Sequence, residues 1–289
     1  MSKTKIQWTA SDDGGPGETW NPTVGCTRVS SGCNHCYAFE LHDKRHIAWK
    51  RGRYETAPAQ YHQPFSRVQL LPERLRDPYH WKRPRRVFVD SMADLFHPDV
   101  PSSFILDVWL TMADNPRHTF QVLTKRPERM AAWCRETFAA APSLTSLPNV
   151  WLGTSVEDQT AADERIPHLL DTPAAIRFLS CEPLLAPVDL DEWLWDEPDR
   201  DCSAGLNWVI IGGESGKHAR GMSLVWAGEL VAQCRAAGVA VFVKQLGSEQ
   251  AFYLHLKDRH GGDMSEWRDV VPSLAVREWP HVPLMEAAL

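Results

Sequence analysis

Short apolar runs alternate with stretches of helical periodicity along most of the chain. An apolar run of about five residues bounded by polar or glycine residues is typical of a buried strand, whereas apolar residues spaced three and four apart are typical of a helix that faces a core. The pattern predicts strand segments at 86–90, 119–123, 149–153, 176–182, 208–216 and 239–245. It predicts helices over about 37–51, 102–114, 128–140, 161–170 and 225–237.

This alternation of strand and helix predicts βα units and a parallel sheet, and therefore an α/β fold. Polar or charged residues follow each predicted strand. In parallel α/β folds the ligand site lies at the carboxyl ends of the strands, so these residues are expected to surround one. They are Asp90, Lys125, Glu157, Glu182, Glu214 and Lys244.

A cysteine loop precedes the first of these units. Cys26, Cys33 and Cys36 are separated by six and two residues, and they are three of the seven cysteines. Three thiolates on one glycine-containing loop suit a soft metal or an iron–sulfur cluster. A tetrahedral metal would need a further ligand, for which His35 is the local candidate, or would keep an open position. The alternative is three packed or disulfide-linked thiols. Since a helix is predicted to begin at Tyr37, its backbone N–H groups favour negative charge on the last thiolate.

Composition and charge bear on the domain organisation and on the binding of nucleic acid. The chain has 289 residues, of which 43% are hydrophobic and 24% are charged, and its net charge is −6. We predict one domain spanning 1–289, with an acidic insertion at about 188–205 and a C-terminal extension at about 248–289. The negative charge argues against general electrostatic binding of nucleic acid, whereas the cluster Lys82–Arg86 leaves a local basic groove open.

Apolar runs, the first residues and the cysteine count together predict the cellular compartment. No stretch approaches the roughly 20 apolar residues that a membrane-spanning helix needs. The first residues, Met1–Lys5, are followed by polar residues rather than by the apolar run of a signal peptide. An odd number of cysteines, three of them in a metal-like pattern, fits a reducing compartment. We therefore predict a cytoplasmic protein without a membrane partner.

Several motifs together resemble the three-Cys-motif family of phage and bacterial proteins, which is radical-SAM-like and otherwise of unknown function. The resemblance implies a partial (β/α) barrel of the radical-SAM type, related to the TIM barrel, with an N-terminal cysteine loop and a C-terminal extension. It also implies a 4Fe–4S cluster on the three cysteines and S-adenosyl-L-methionine on the open iron, with formation of a 5′-deoxyadenosyl radical. Besides the cysteine loop, the motifs lie at 90–96, 123–127, 153–159, 180–185, 212–216 and 244–247.

Polar residues at the strand ends are the sites that this resemblance implies for cofactor and substrate. Lys125 or Arg126 is expected to pair with the carboxylate of the cofactor, and Ser155 and Glu157 with its ribose hydroxyls or its ammonium group. A pair of glycines would let a ligand approach the backbone closely. The predicted cofactor-binding residues are Lys125, Arg126, Ser155, Glu157, Gly212, Gly213 and Glu214, and the predicted catalytic residues are Cys181, Glu182 and Lys244.

Each of these sites has a structural alternative. The two basic residues can instead form an ion pair with Glu157 or Glu182, and the two glycines can be turn residues alone. Asp90 and Asp94 can cap the following helix rather than touch a substrate. Cys181 is expected to be a thiol on the substrate side that relays a radical, or else a core thiol.

The first cysteine gap is longer than in the parent superfamily, so whether adenosylmethionine binds the open iron is the question that the sequence leaves open. The expected partners are a flavodoxin- or ferredoxin-like reductant and, as substrate, a nucleic-acid base in DNA repair or modification. The alternative is a non-radical protein with zinc or an electron-transfer cluster on the cysteines. A DNA-binding module that uses Lys82–Arg86 is the remaining possibility.

Overall fold

The computed structural model describes residues 2–4, 6–10, 15, 17–53, 56–194 and 205–281. The chain divides into two compact units, Met1–Arg126 and Pro127–Leu289, which we call unit 1 and unit 2. The acidic insertion predicted at about 188–205 lies outside the described residues from 195 to 204. The end of the predicted C-terminal extension, from 282 onwards, also lies outside them.

The described residues of unit 1 include four strands of a larger sheet, a separate two-stranded sheet and two α-helices. One sheet has the order β1, β2, β5, β6, in which β1 pairs antiparallel with β2 and the remaining pairs are parallel; β3 and β4 form an antiparallel pair of their own. The strands are β1 (Ser2–Lys3), β2 (Glu18–Trp20), β3 (Thr23–Val24), β4 (Gln69–Leu70), β5 (Arg86–Val89) and β6 (Thr119–Thr124), and the helices are α1 (Tyr37–Lys50) and α2 (Ser102–Ala113).

Buried aromatic residues hold these elements of unit 1 together. Trp20 on β2 lies with its ring centroid 5.7 Å from that of Phe120 on β6, and both side chains are almost fully buried. The indole N–H of Trp20 donates to the carbonyl oxygen of Arg74 at 2.8 Å. Arg74 lies in a 3-10 helix, Pro72–His80, that precedes β5. The short strand β2 is thereby fixed to a segment far along the chain.

Unit 2 is built from four consecutive parallel strands in the order β7, β8, β9, β10, with helices between them. Nearly every residue of these strands is buried, which is why they read as continuous apolar runs rather than as alternating patterns. The elements are β7 (Val150–Ser155), β8 (Ile176–Cys181), β9 (Trp208–Gly212), β10 (Ala240–Gln245), α3 (Pro127–Ala140), α4 (Gln159–Leu170), α5 (Asp191–Leu194), α6 (Leu224–Ala236) and α7 (Ser248–Tyr253).

The core of unit 2 is centred on Trp208, whose ring lies about 6 Å from three other rings: 6.0 Å from Trp151, 5.8 Å from Phe178 and 6.1 Å from Phe242. Gly153 on β7 is required by the same packing, because a Cβ atom there would lie 2.6 Å from the ring of Phe178. Aromatic packing of this kind fixes the register of neighbouring strands.

The C-terminal extension runs beside the last strand of unit 2. The N–H of Val243 donates to the carbonyl oxygen of Val276 at 2.9 Å. The N–H of Glu278 donates to the carbonyl oxygen of Val241 at 3.0 Å. Arg277 bridges antiparallel to Phe242 and places its guanidinium 5.4 Å from that ring. The extension therefore covers the edge of β10, which would otherwise expose unpaired backbone groups.

The predicted fold class, α/β with parallel strands alternating with helices, is confirmed. All six predicted strand segments and all five predicted helices are present, with small differences at their ends. The segment 208–216 is strand only as far as Gly212, because the backbone then turns and the carbonyl oxygen of Glu214 accepts from the N–H of Ser248. Among the described residues, no helix has the length and apolarity needed to cross a membrane.

Candidate functional site

The cysteine loop of unit 1 is held by backbone contacts to distant segments. Gly25 donates its N–H to the carbonyl oxygen of Met92 at 3.0 Å, and Cys26 donates its N–H to that of Phe65 at 2.9 Å. Gly25 has a φ of +104°, and a Cβ atom there would lie 2.3 Å from the carbonyl oxygen of Arg67. Only glycine combines this backbone conformation with so close an approach of a second chain segment.

The second half of the loop is a 3-10 helix, Ser31–Cys33, that leads into α1. Arg28 stabilises it, because its Nε donates to the carbonyl oxygen of Cys33 at 3.2 Å while its guanidinium lies 4.2 Å above the ring of Phe39. Cys36 is the residue that precedes α1. The turn that carries the last two cysteines is therefore anchored to the helix that follows it.

The three cysteines of the loop are free thiols with partly exposed side chains. Cys26 and Cys36 pack against a small apolar cluster that contains Phe39 and Phe65. Cys33 is close enough to raise the pKa of both of these thiols. Of the alternative of packed or disulfide-linked cysteines, the disulfide part is wrong for these residues, whereas the packed part is found for Cys26 and Cys36.

Burial and neighbouring charges act on these thiols in opposite directions. Burial is the main reason why the pKa of Cys26 is raised to about 11; the carboxylate of Asp94 adds to it, and the guanidinium of Arg126 works against it. Burial also raises the pKa of Cys36, while the backbone N–H groups of Phe39 and Ala38 lower it. Burial outweighs the neighbouring donors at both thiols, so the net change in each pKa is a rise.

Arg126 lies at the centre of the polar contacts in unit 1. Its Nη1 donates to Asp94 Oδ2 at 2.7 Å and to the sulfur of Cys26 at 3.7 Å. Its Nη2 donates to the carbonyl oxygen of Thr27 at 3.0 Å and to Thr27 Oγ1 at 3.1 Å. Asp94 is buried, and it also accepts from Thr124 Oγ1 at 2.7 Å. Arg126 therefore forms its ion pair with Asp94; a pair with Glu157 or Glu182 was one of the alternatives that the sequence offered.

Asp90 and Asp94 do not cap a helix, so that alternative is wrong: the residue that precedes α2 is Pro101. Asp90, at the end of β5, has a φ of +57° and is fully buried. Its two carboxylate oxygens accept from the N–H of Thr23 at 3.0 Å and from Thr23 Oγ1 at 2.8 Å. Asp90 therefore fixes β3, the strand that leads into the cysteine loop.

The protonation of Asp90 is expected to make the stability of the protein depend on pH. Burial, with a further contribution from Asp94, raises the pKa of Asp90 to about 7, although its bonds to Thr23 and the charge of Arg74 oppose the rise. The unfolded chain loses this proton near pH 4. The stabilisation is therefore complete below about pH 4 and is lost as the pH rises through about 7, with a slope of at most about 1.4 kcal/mol per pH unit.

The variant Asp90→Asn isolates this contribution, because asparagine keeps an acceptor for Thr23, tolerates a positive φ and does not titrate. Urea denaturation of both proteins from pH 5 to pH 8 measures the free energy of unfolding. We expect the wild type to lose stability relative to the variant as the pH rises. A difference that stays constant over this range would show that Asp90 does not titrate there.

The side-chain donors of the cysteine loop are three thiols. Among the described residues, no group of three or more His, Cys, Asp or Glu side chains is placed to hold a metal ion. The loop does provide three free, partly exposed thiols, and the charges of Arg126 and Lys125 oppose the rise that burial causes in the pKa values of Cys26 and Cys36 respectively. Soft thiolates beside cations are the chemistry that an anionic iron–sulfur cluster takes.

In unit 2 each acidic residue at a strand end has a basic partner. Glu157 is buried and accepts from Arg165 Nη1 at 3.0 Å, while the same Nη1 donates to the carbonyl oxygen of Ser155 at 2.7 Å. Glu214 accepts from Arg220 at 2.5 Å, and this bond is the main reason why the pKa of Arg220 is raised. These two carboxylates are therefore held in ion pairs within the unit.

Glu182 and Lys244, two of the predicted catalytic residues, contact each other at 2.5 Å, and both side chains are 18% exposed. Gln245 Nε2 donates to the same Glu182 oxygen at 3.0 Å and to the carbonyl oxygen of Gly213 at 2.9 Å. The pair is thus fixed on one side by an amide and open to solvent on the other. The third predicted catalytic residue, Cys181, is fully buried in β8 and exposes no surface to a substrate.

The two glycines after β9 are explained by packing. A Cβ atom at Gly213 would lie 2.3 Å from the carbonyl oxygen of Leu246, and one at Gly212 would lie 3.1 Å from the carboxyl carbon of Glu182. Protein atoms therefore occupy the space that the absent side chains leave. Binding of a cofactor at these glycines and at the other strand-end residues of unit 2 stays a prediction.

The chain was compared with protein families, curated proteins and solved structures. The family described as "Protein of unknown function (DUF5131)" matches residues 3–269 of the 289. Its description carries no activity, cofactor or phage origin, so the radical-SAM and three-Cys-motif resemblance stays a prediction. No curated protein and no solved structure matches the chain. Because the family match spans well over half of its length, the protein belongs to the DUF5131 family.

Proposed function

We propose that the protein is a radical-SAM-type iron–sulfur enzyme whose cluster is held by Cys26, Cys33 and Cys36. The observation that carries the proposal is the set of three free, partly exposed thiols on one loop that distant backbone segments hold in place. Backbone hydrogen bonds at Gly25 and Cys26 fix the first part of this loop to distant segments. A preformed loop reduces the cost of ordering the ligands when a centre is bound.

The three thiolates leave one iron of a 4Fe–4S cluster without a protein ligand, which is the arrangement that this class of enzyme uses. When bound together with S-adenosyl-L-methionine, such a cluster supplies one-electron reductive cleavage of that cofactor. Within unit 1 the proposal takes Lys125 for the carboxylate of the cofactor on the resemblance alone, whereas Arg126 donates to Asp94 and Thr27. A flavodoxin- or ferredoxin-like reductant and a nucleic-acid base as substrate belong to the proposal on the resemblance alone.

Anaerobic reconstitution with iron and sulfide tests the proposal. We expect about four irons and four sulfides per chain in the wild type, a visible absorption band, and an EPR signal after reduction. Single replacements of the loop cysteines, Cys26→Ser, Cys33→Ser and Cys36→Ser, are each expected to lose most of the iron and the signal. With adenosylmethionine and dithionite, the wild type alone is expected to release 5′-deoxyadenosine, measured by chromatography.

The matched control is Cys234→Ala, which removes a free thiol that is fully buried in α6, within unit 2. This variant is expected to bind as much iron as the wild type. Stoichiometric zinc with no visible absorption would contradict the proposal, as would equal iron binding by the wild type and the loop variants. A cluster that forms but never cleaves adenosylmethionine would leave an electron-transfer centre in place of a radical enzyme.

A further inference from the structure

We infer that the C-terminal half of α1 and the segment packed on it bind single-stranded nucleic acid, with cations for its phosphates and a stacked ring for a base. No residue of the cysteine loop takes part, so the inference goes beyond the proposed function and does not depend on a cluster. We call this part of unit 1 the α1 surface. It consists of the cations Lys44, Arg45, Lys50, Arg51 and Arg53 and the rings of Trp49 and His62.

The charge of this region is opposite to that of the whole chain. Between Lys44 and Pro72 the sequence has six Lys or Arg residues and one acidic residue, Glu55, whereas the chain has a net charge of −6. All five cations of the α1 surface are exposed. No carboxylate in the described part of the chain forms an ion pair with any of them. Cations that carboxylates of the protein do not neutralise are suited to pairing with phosphate groups.

The helix dipole accounts for only part of this charge. The C-terminal end of a helix is negative, and cations in its last turn stabilise it, which explains Lys50 and the adjacent C-cap residue Arg51. The effect falls off within that turn and does not reach Lys44 or Arg45. Arg45 instead places its guanidinium 5.2 Å from the ring centroid of Tyr61. The cations of the α1 surface therefore extend further than the stability of the helix requires.

Two histidines of α1 hold the adjoining 3-10 helix, Ala59–His62, against it. His46 Nδ1 donates to the carbonyl oxygen of Tyr61 at 2.8 Å. His42 Nε2 donates to the carbonyl oxygen of Gln63 at 2.9 Å. Because a carbonyl oxygen only accepts, each of these ring nitrogens carries the proton. The segment that carries His62 is thus fixed to the helix before any ligand binds.

This attachment places the ring of His62 on the ring of Trp49. The two rings are nearly parallel, with centroids 4.3 Å apart and an angle of 18° between their planes. His62 Nε2 also donates to the carbonyl oxygen of Ala57 at 3.2 Å, which orients the ring further. His62 is exposed although Trp49 covers one face of its ring. A flat ring with one open face is a platform on which an unpaired base stacks.

The combination of cations with an open ring favours a single strand over a duplex. In a duplex the faces of the bases are stacked on one another, so a stacking platform gains nothing from it. A single strand offers unpaired bases together with phosphates, and proteins that bind it combine positive charge with aromatic side chains. DNA and RNA share these groups, so the ligand is defined by its chemistry as a single-stranded polynucleotide.

The test is fluorescence anisotropy with the full chain and labelled oligo-dT, oligo-U and duplex DNA of equal length. We expect both single strands to bind more tightly than the duplex, and a preference between them identifies the natural ligand. The double variant Lys44→Gln, Arg51→Gln should bind more weakly and reduce the slope of log affinity against log salt by about 0.7 for each lost phosphate contact. His62→Ala should weaken binding about fivefold or more, whereas His62→Phe keeps a flat ring and should retain most of the affinity.

The matched control for charge is the double variant Lys82→Gln, Arg83→Gln, which removes two exposed cations of unit 1 outside the α1 surface. It should bind the single strands as the wild type does. Urea denaturation of each variant confirms that it is folded, which is expected because the replaced side chains are exposed.

Equal losses in the two charge variants, equal affinity for duplex and single strand, or unchanged binding by His62→Ala would each overturn the inference. Failure of the wild type to bind any of the oligonucleotides would overturn it too, and would leave the proposed iron–sulfur centre untouched. Conversely, a chain that binds single strands but no iron would contradict the proposed function and support the inference.

Discussion

The replacement Gly25→Ala is expected to destabilise the protein by more than about 4 kcal/mol and to abolish iron binding by the cysteine loop. Alanine at a φ of +104° is strained, and its Cβ atom would lie 2.3 Å from the carbonyl oxygen of Arg67 and 2.8 Å from that of Phe65. These are backbone atoms, so the clash is relieved only if the loop moves away from them. Urea denaturation and iron analysis after reconstitution measure the two effects.

Gly52→Ala is the matched control for this prediction. Gly52 also has a positive φ, of +67°, but among the described residues no atom outside its chain neighbours lies within 4 Å of the position that its Cβ would take. The replacement should therefore cost only the conformational strain, about 1–2 kcal/mol, and leave iron binding unchanged. Equal losses of stability at the two positions would show that the close approach at Gly25 contributes nothing.

The second large effect is expected in unit 2, where Arg165→Met should destabilise the protein by about 3–5 kcal/mol. Glu157 is 1% exposed, and Arg165 donates both to its carboxylate and to the carbonyl oxygen of Ser155. Methionine fills most of the space but leaves a buried carboxylate without its cation. The measurement is the free energy of unfolding in urea at pH 7.

The double variant Glu157→Leu, Arg165→Met removes both charges at once. Since replacing a buried ion pair by apolar residues of similar volume is often close to neutral, this variant should recover most of the loss. A double variant that is as unstable as Arg165→Met would show that other contacts of Arg165, such as that to Ser155, carry the stability. Its ability to cleave adenosylmethionine tests the predicted cofactor role of Glu157 separately.

The helices and strands can be predicted from the sequence because they depend mainly on residues that are close together in the chain. Buried parallel strands such as Val150–Ser155 read as apolar runs, and helices such as Ser102–Ala113 show apolar residues at helical spacing. The spacing of Cys26, Cys33 and Cys36 likewise predicts a metal-binding loop from the sequence alone. Asp158 before α4 is a further local signal, since its side chain accepts from the N–H of Ala161 as an N-cap does.

The pairing of side chains does not follow from the sequence, because it depends on contacts between distant segments. The side chains of Thr27 and His97 lie 2.8 Å apart, although the residues are separated by 70 positions in the chain. Arg126 donates to the sulfur of Cys26 across 100 positions. The family resemblance made Arg126 a candidate for cofactor binding, but the sequence did not predict that Asp94 would bind it. Nothing in the sequence indicated that Thr27 would contact His97 and Arg126. Thr27 and His97 are only neighbours, in sequence, of the motifs that contain Cys26 and Asp94.

The order in which the contacting segments are synthesised matters for the cysteine loop. The segments that shape the loop, at Phe65, Met92 and Arg126, follow the cysteines in the chain and leave the ribosome after them. During synthesis the three thiols are therefore exposed before their surroundings exist, and they are open to oxidation in that interval. The surroundings of the three thiols are therefore complete only after Arg126 has emerged.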